Sequence, residues 1–270
     1  MKTAMHFADN YLINLTNPIT VTQIGAGGTG SSMITELARI NHCLKALGHA
    51  GLQVRLWDDD LITEANRGRQ LFAASEVGLC KSVARINNIN RFFGTNWKAV
   101  EEKFTFNPND GISDEMCSNL YISCVDTVAA RFGIAAFLKK FAERSHNNRD
   151  KPLYWLDLGN SKFTGQAILS TISEIRQPES KLYRAVSNLP MVTDEFKELL
   201  EQENLSEQNQ PSCSTAEALE KQDLFINSTL ANMGGSLLWQ LFRNAMTENR
   251  GFFLNLNTFH SDALKVAQKG

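Results

Sequence analysis

The stretch Ile19-Thr20-Val21-Thr22-Gln23-Ile24-Gly25-Ala26-Gly27-Gly28-Thr29-Gly30-Ser31 decides the fold. Its first six residues are rich in β-branched side chains, as a short buried strand is, and from Ser31 to Leu47 apolar residues recur at helical spacing. Between them lies a glycine turn. Strand, turn and helix in that order satisfy the G-x-G-x-x-G pattern in the setting that binds phosphate. The glycines permit close backbone approach, and the first turn of the helix offers free N–H groups and the positive end of its dipole. Gly25, Gly27, Gly28, Gly30 and Ser31 are therefore expected to line a nucleotide site. The loop by itself does not choose between ATP, NAD and FAD.

Working outward, Gly51 to Trp57 reads as a second strand ending in Asp58-Asp59-Asp60, Ser75 to Phe93 as a helix, and Trp97 to Phe104 as a third strand. Leu120 to Val125 is a compact apolar strand, followed by Asp126 and by an amphipathic helix from Thr127 to about Arg144. Lys151 to Leu158 and Gly165 to Ile175 read as strands, Asp223 to Phe242 as an apolar helix interrupted by Gly234-Gly235, and Gly251 to Phe259 as a closing strand. Strands alternating with helices require right-handed parallel crossovers. The expectation is an α/β, Rossmann-like doubly wound sheet, mostly parallel with antiparallel strands at the C-terminal side and helices on both faces. With 270 residues, 43% of them hydrophobic, the chain is read as one domain over 1–270. Residues 177–222, polar and acidic, are read as a crossing or inserted segment with one short helix near Asp194 to Gln202.

A formal charge of −2 and the lack of any Lys/Arg cluster give no nucleic-acid signal. No run of about eighteen apolar residues occurs, so no membrane span is expected and the chain reads as cytoplasmic. Five scattered cysteines fit a reducing compartment, and without a CxxC pair no structural zinc is expected. Cys43, Cys117 and Cys124 fall in helical or strand patterns and are read as core residues. The five histidines form no ligand motif, and no G-x-S-x-G elbow suggests a hydrolase.

The chemistry is carried by residues around the glycine loop. Asp58, directly after the second strand, stands where such folds place a carboxylate for the ribose hydroxyls. Asn66, Arg69 and Gln70, and then Lys81, add polar and cationic groups that a dehydrogenase does not need. Adenylation does need them, because an anionic carboxylate must attack an anionic phosphate and pyrophosphate must leave. Arg69 suits a bidentate phosphate contact and Lys81 a point charge on the polyphosphate. Asp126, at the C-terminal end of a strand, suits Mg²⁺, and is equally placed to cap the helix that follows.

The series Gly25-x-Gly27-Gly28-x-Gly30-Ser31, Asp58-x-Asp60, Asn66-x-x-Arg69-Gln70, Gly78-x-x-Lys81 and Cys124-Val125-Asp126-x-x-x-x-Arg131 resembles the ThiF/MoeB/ubiquitin-activating superfamily. The resemblance covers Ile19 to Ile175, including Gly159 and Gly165, and more loosely Cys213 to Phe259. With Pro211-Ser212-Cys213-Ser214 and Gln222-Asp223-Leu224-Phe225-Ile226-Asn227, the chain is most similar to the ThiF-like members of PRTRC gene cassettes. The resemblance implies ATP with Mg²⁺, Asp58 on the ribose, Arg69 and Lys81 on phosphates, and Asp126 on the metal. It further implies a homodimer, and as substrate the C-terminal glycine of a ubiquitin-like β-grasp protein or another carboxylate. Two features depart from the family pattern: the four zinc cysteines of many relatives are missing, and residues before Ile19 show no Arg-bearing helix of the kind that relatives contribute across a dimer. Cys213, in a polar segment ahead of a helix, is a candidate thioester acceptor, since a thiol near a helix N-terminus gains thiolate character; its alternative is a free cysteine in a loop. Two other functions stay open on sequence grounds, a nicotinamide or flavin oxidoreductase and a nucleotide-binding scaffold that does not turn over.

Overall fold

The structure, a computed structural model, describes residues 2–14, 16–107, 109, 111–143, 151–206 and 219–267. Along the chain run β1 (Thr3–Phe7), α1 (Asn10–Ile13), β2 (Ile19–Ile24), α2 (Gly28–Ala46), β3 (Leu52–Trp57), α3 (Lys81–Phe93), β4 (Lys98–Val100), β5 (Leu120–Ser123) and α4 (Val128–Ala142). There follow β6 (Tyr154–Asn160), β7 (Thr164–Thr171), β8 (Tyr183–Ala185), α5 (Val192–Glu195), α6 (Lys197–Ser206), α7 (Ile226–Asn244), β9 (Met246–Thr247), β10 (Asn249–Asn255) and β11 (His260–Lys265).

The main sheet has eight strands in the order β11-β10-β7-β6-β5-β2-β3-β4. From β4 to β6 neighbours are parallel; from β6 to β11 they are antiparallel. The direction in which successive strands are added reverses between β2 and β5, so the carboxyl ends of these two strands flank the crevice where open α/β sheets take their ligands. The expected fold class is the one observed.

Strand alternation assigns side chains to the two faces. Leu120, Ile122, Leu156, Leu158 and Leu169 join α2, α3 and α7 in one core. Their neighbours in sequence, Tyr121, Trp155 and Ile168, pack with α4, α5 and α6 in the other. Both faces are covered, as a parallel sheet requires.

Several sequence expectations are corrected. The helix expected from Ser75 begins only at Lys81: Ala74–Glu76 is an isolated 3-10 turn, Gly78 has φ +89°, and Cys80 is the extended N-cap. Val77 and Leu79, whose spacing mimicked a helix face, are exposed. The third strand is cut to three residues, and α7 runs through Gly234-Gly235 without a break. Those glycines serve packing, because a Cβ on Gly234 would lie 2.9 Å from Leu158 Cδ2, and one on Gly235 3.0 Å from Glu36 Cβ. Cys43 is exposed rather than in the core, whereas Cys117 and Cys124 are half-buried. Within 177–222 the described residues hold β8, α5 and α6; Leu189, Met191, Val192 and Leu200 are buried, so part of this polar segment supplies core. Neither β1 nor β11 was foreseen.

Strand β1 builds a second sheet, in the order β8-β1-β9, parallel to β8 and antiparallel to β9. It is fixed to the main sheet by His6, wholly buried, whose Nδ1–H donates to the Val186 carbonyl at 2.6 Å while Nε2 accepts from the Tyr154 hydroxyl at 2.8 Å. Tyr154 in turn accepts from the Asp9 N–H. Burial holds the His6 imidazole below its ordinary value of 6.5, outweighing the Val186 hydrogen bond and the charge of Asp9. Above 6.5 the ring is neutral folded or unfolded and its contribution is fully present; as pH falls from there through the folded value, the unfolded chain takes the proton first and stability is lost. Denaturant midpoints measured between about pH 7.5 and about pH 5 should fall with pH, and His6→Gln should flatten that fall. An unchanged pH slope in the variant would exclude His6 as its source.

Candidate nucleotide-binding site

The loop after β2 is held where only glycine fits. Gly25 has φ +95°, a conformation costly for other residues. Its N–H donates to the Trp57 carbonyl at 2.9 Å, and a Cβ there would lie 2.6 Å from the Cys124 carbonyl oxygen. A Cβ on Gly30 would lie 2.0 Å from the Gly25 oxygen. From within the fold, Gln23 Nε2 donates to the Gly30 carbonyl at 2.8 Å and to that of Gly25 at 3.1 Å. The turn is thus wedged between the ends of β3 and β5. Helix α2 starts at Gly28 with Gly27 as its N-cap and no side chain capping it, leaving its first turn open to an anion.

Asp58, partly buried at the end of β3, accepts from the Ala26 N–H at 2.6 Å and from the Asp60 N–H at 3.0 Å. Burial is the largest influence on it and raises its carboxyl above the ordinary value, against those hydrogen bonds and the nearby Lys81. Each oxygen keeps a second lone pair, so the group both braces the glycine loop and retains acceptor capacity for a ribose hydroxyl. Asp60 is the partner of Lys81: Nζ meets its carboxylate at 2.6 Å, and the Lys81 N–H bonds the Asp60 carbonyl at 2.9 Å. The Lys81 side chain is only 8% exposed and starts α3.

Between Asp60 and Lys81 the chain forms a closed loop, joined at its neck by the bridge of Leu61 to Cys80. Asn66 turns inward on this loop, its Oδ1 accepting the Thr63 N–H at 2.8 Å. Ser31 Oγ accepts the Leu71 N–H at 3.3 Å and so ties the loop to α2. Arg69 Nη1 donates to Gln222 Oε1 at 2.5 Å, and its Nε is buried without an acceptor; burial pulls the guanidinium pKa down. Gln70 is buried with Oε1 unpartnered.

Asp126 lies past the end of β5, exposed, with no side-chain bond among the described residues. The helix cap expected of it is made instead by Thr127, whose Oγ1 accepts the Ala130 N–H at 3.2 Å. Among the described residues no three His, Cys, Asp or Glu side chains group as a metal cage. A carboxylate at a strand end of this kind is of the type that Mg²⁺ uses, one or two at a time, with phosphate oxygens and water completing its shell. The strand end that carries Asp126 is braced by a buried network. Arg131 Nη2 donates to the Val125 carbonyl at 2.9 Å and Nε to Asp157 at 3.2 Å; Ser123 Oγ donates to Asp157 at 2.5 Å and accepts from Trp155 Nε1 at 2.7 Å. Cys213 lies outside the described residues.

The sequence alone gives no role to Gln23 or Asp157, and Gln222 and Asn227 figure in it only within the stretch that carries the family resemblance. Gln23 and Asp157 carried one available signal, a polar residue inside a run otherwise read as a buried strand. Gln222 and Asn227 stood at the edge of an apolar helix, where polar residues are ordinary. Breaking a buried ion pair from one side leaves an uncompensated charge. Arg131→Met should therefore cost about 3–5 kcal/mol in denaturant unfolding, and a loss under about 1 kcal/mol would mean that the Asp157 carboxylate is paired by other means.

No curated protein matches the sequence. Among solved structures, PaaA superposes with a TM-score of 0.54 at 14% identity, covering 93% of this chain and 65% of that one. MccB of E. coli, in a structure with ATP, gives 0.54 at 13% identity, covering 93% and 64%. MccB described as a microcin C7 biosynthetic enzyme, in complex with N-formylated MccA, gives 0.51 at 13% identity, covering 93% and 65%. These likenesses are of fold, and this chain spans a little under two thirds of each of those. A family model described as the ThiF family matches residues 13–269, nearly the whole length, and the chain belongs to the ThiF family.

Proposed function

We propose that this chain activates a carboxylate by ATP-dependent adenylation. A carboxylate oxygen attacks the α-phosphorus, the bond from that phosphorus to the bridging oxygen breaks, and pyrophosphate leaves with the electron pair. The observation that carries the proposal is the grouping of Arg69 and Lys81 on one loop tied to the uncapped N-terminus of α2. Donors and cations fixed before the reaction are worth most where charge builds up, on the departing pyrophosphate. Lys81 is held by Asp60, while Arg69 has no carboxylate partner among the described residues, so the site keeps positive charge free for phosphate. Asp58 would take the ribose, and Asp126 would hold a Mg²⁺ whose charge offsets that of the polyphosphate.

The carboxylate substrate in this reading is the C-terminal glycine of a ubiquitin-like β-grasp protein. A groove of about 320 Å³ supports it, running between α5, α6 and the antiparallel strands. Phe196, Leu199, Leu200 and Phe253 line it, as do Gln166 and Asn255 on the β7–β10 pair. Such an apolar surface with polar groups around it suits a folded partner whose tail continues toward the ends of β5 and β6. A second copy of the chain would pack on the loop between Asp60 and Lys81, where Leu61, Leu71 and Leu79 are each about half exposed. Cys213 is the proposed acceptor for a subsequent thioester.

Equilibrium binding should favour ATP with Mg²⁺ over NAD, NADPH and FAD, and a preference for a nicotinamide or flavin would overturn adenylation while leaving the fold. With the carboxylate substrate supplied, ATP–pyrophosphate exchange should drop at least roughly a hundredfold in Lys81→Ala and in Asp126→Asn. Full exchange in both variants would refute the roles given to them, and ATP binding without any exchange in the wild type would identify a scaffold. Cys213→Ser should still form acyl-AMP but lose a thiol-sensitive adduct.

A further inference from the structure

Arg69 is oriented by a neutral acceptor, and the bond does not end there. Gln222 Oε1 takes two donors, Arg69 Nη1 at 2.5 Å and Asn227 Nδ2 at 2.9 Å, so both of its lone pairs are engaged. Asn227, itself buried at the start of α7, accepts on Oδ1 from Thr29 Oγ1 at 2.9 Å. Thr29 belongs to the first turn of α2, and its hydroxyl also lies 3.2 Å from Asn160 Oδ1 at the end of β6. The Asn227 amide sits so close to the glycine loop that a Cβ on Gly28 would lie 2.5 Å from it. A continuous line of side chains therefore joins the Arg69 guanidinium to the turn that receives phosphate.

We infer that Gln222 is a positioning residue, which holds the Arg69 guanidinium toward the nucleotide phosphates and, through Asn227 and Thr29, fixes it in register with the N-terminus of α2. The inference rests on the adenylation reading for the identity of the ligand. The choice of an amide is physical. A carboxylate at 222 would pair with Arg69 and cancel the charge meant for phosphate, as Asp60 does in part for Lys81; an apolar side chain would leave a half-buried guanidinium with no acceptor and several orientations open to it. With Nη1 taken by Gln222, Nη2 remains to donate to a phosphate oxygen.

The test is a double-mutant cycle on ATP·Mg²⁺ affinity, measured by calorimetry on the full chain for wild type, Gln222→Met, Arg69→Ala and the double variant, with thermal midpoints recorded for each. Gln222→Met should weaken ATP roughly tenfold when Arg69 is present and not at all when it is alanine. Gln222→Glu, which preserves the acceptor and the shape, should weaken ATP further, and its fold serves as the control if the methionine variant is unstable. Equal losses in the two Arg69 backgrounds would mean that Gln222 acts on the fold and would overturn the inference. So would unchanged or tighter binding in Gln222→Met, the latter showing that Gln222 competes with phosphate. If the wild type binds no ATP, the adenylation reading fails and takes this inference with it, an outcome distinct from ATP binding that ignores residue 222.

Discussion

Everything at the ligand-binding edge depends on one steric fact: between the ends of β2 and β5 there is room for backbone and nothing more. The Gly25 and Cys124 carbonyls sit where β-carbons on Gly30 and Gly25 would have to go. A side chain at either place would push α2 away from the sheet, and the helix N-terminus would no longer face the crevice. The Gln23 amide completes the clamp by tying two carbonyls of the turn to β2 itself. Contact at this distance leaves few ways for the loop to move, so the shape of the turn is set by the chain itself and not by a ligand.

Around that fixed point the fold buries several polar groups and holds them by hydrogen bonds. Arg85, with its charge in the interior, donates to the Leu71 carbonyl and to Thr35. Ser82 reaches the Asp58 and Val100 carbonyls, joining the neck of the loop to β3 and β4. The Asp157 network braces β5 and β6 where their hydrogen-bonded ladder stops. These bonds contribute modestly to net stability but heavily to uniqueness, since each group is costly to leave unsatisfied in any rival arrangement. The loop from Asp60 to Lys81, which has little regular structure of its own, acquires a single conformation this way.

What the sequence made legible follows from how local the cause was. The glycine turn, the parallel strands and the ThiF-type motifs are written in contiguous residues, and the structure brings Gly25, Gly30, Ser31, Asp58, Lys81 and Arg69 to one edge of the sheet. The start of α3 was misplaced because Val77 and Leu79 have helical spacing yet belong to a turn fixed by Gly78, a distinction that depends on φ rather than on hydrophobicity. Strand β1 was missed because its partners lie in β8 and β9, beyond the reach of any window. The contact of Gln222 is illegible for the same reason: its partner Arg69 lies 153 residues away.

The small sheet of β8, β1 and β9 also sets the order in which the molecule can be completed. Thr3–Phe7 pairs with Tyr183–Ala185 and with Met246–Thr247, so during synthesis this strand has no partner until the chain as far as Tyr183 has followed, and lacks its second until Met246. Pairings of such sequence separation form late and slowly, because the closure entropy of the long loop must be met before the contact rewards it. The strand carries the apolar side chains of Ala4, Met5 and Phe7, which stay uncovered over that interval, together with the His6 ring that will end wholly buried. Nascent chains interrupted before residue 246 would lack the antiparallel half of this cover, and a cell making this protein has the strand to shield while the intervening residues are made.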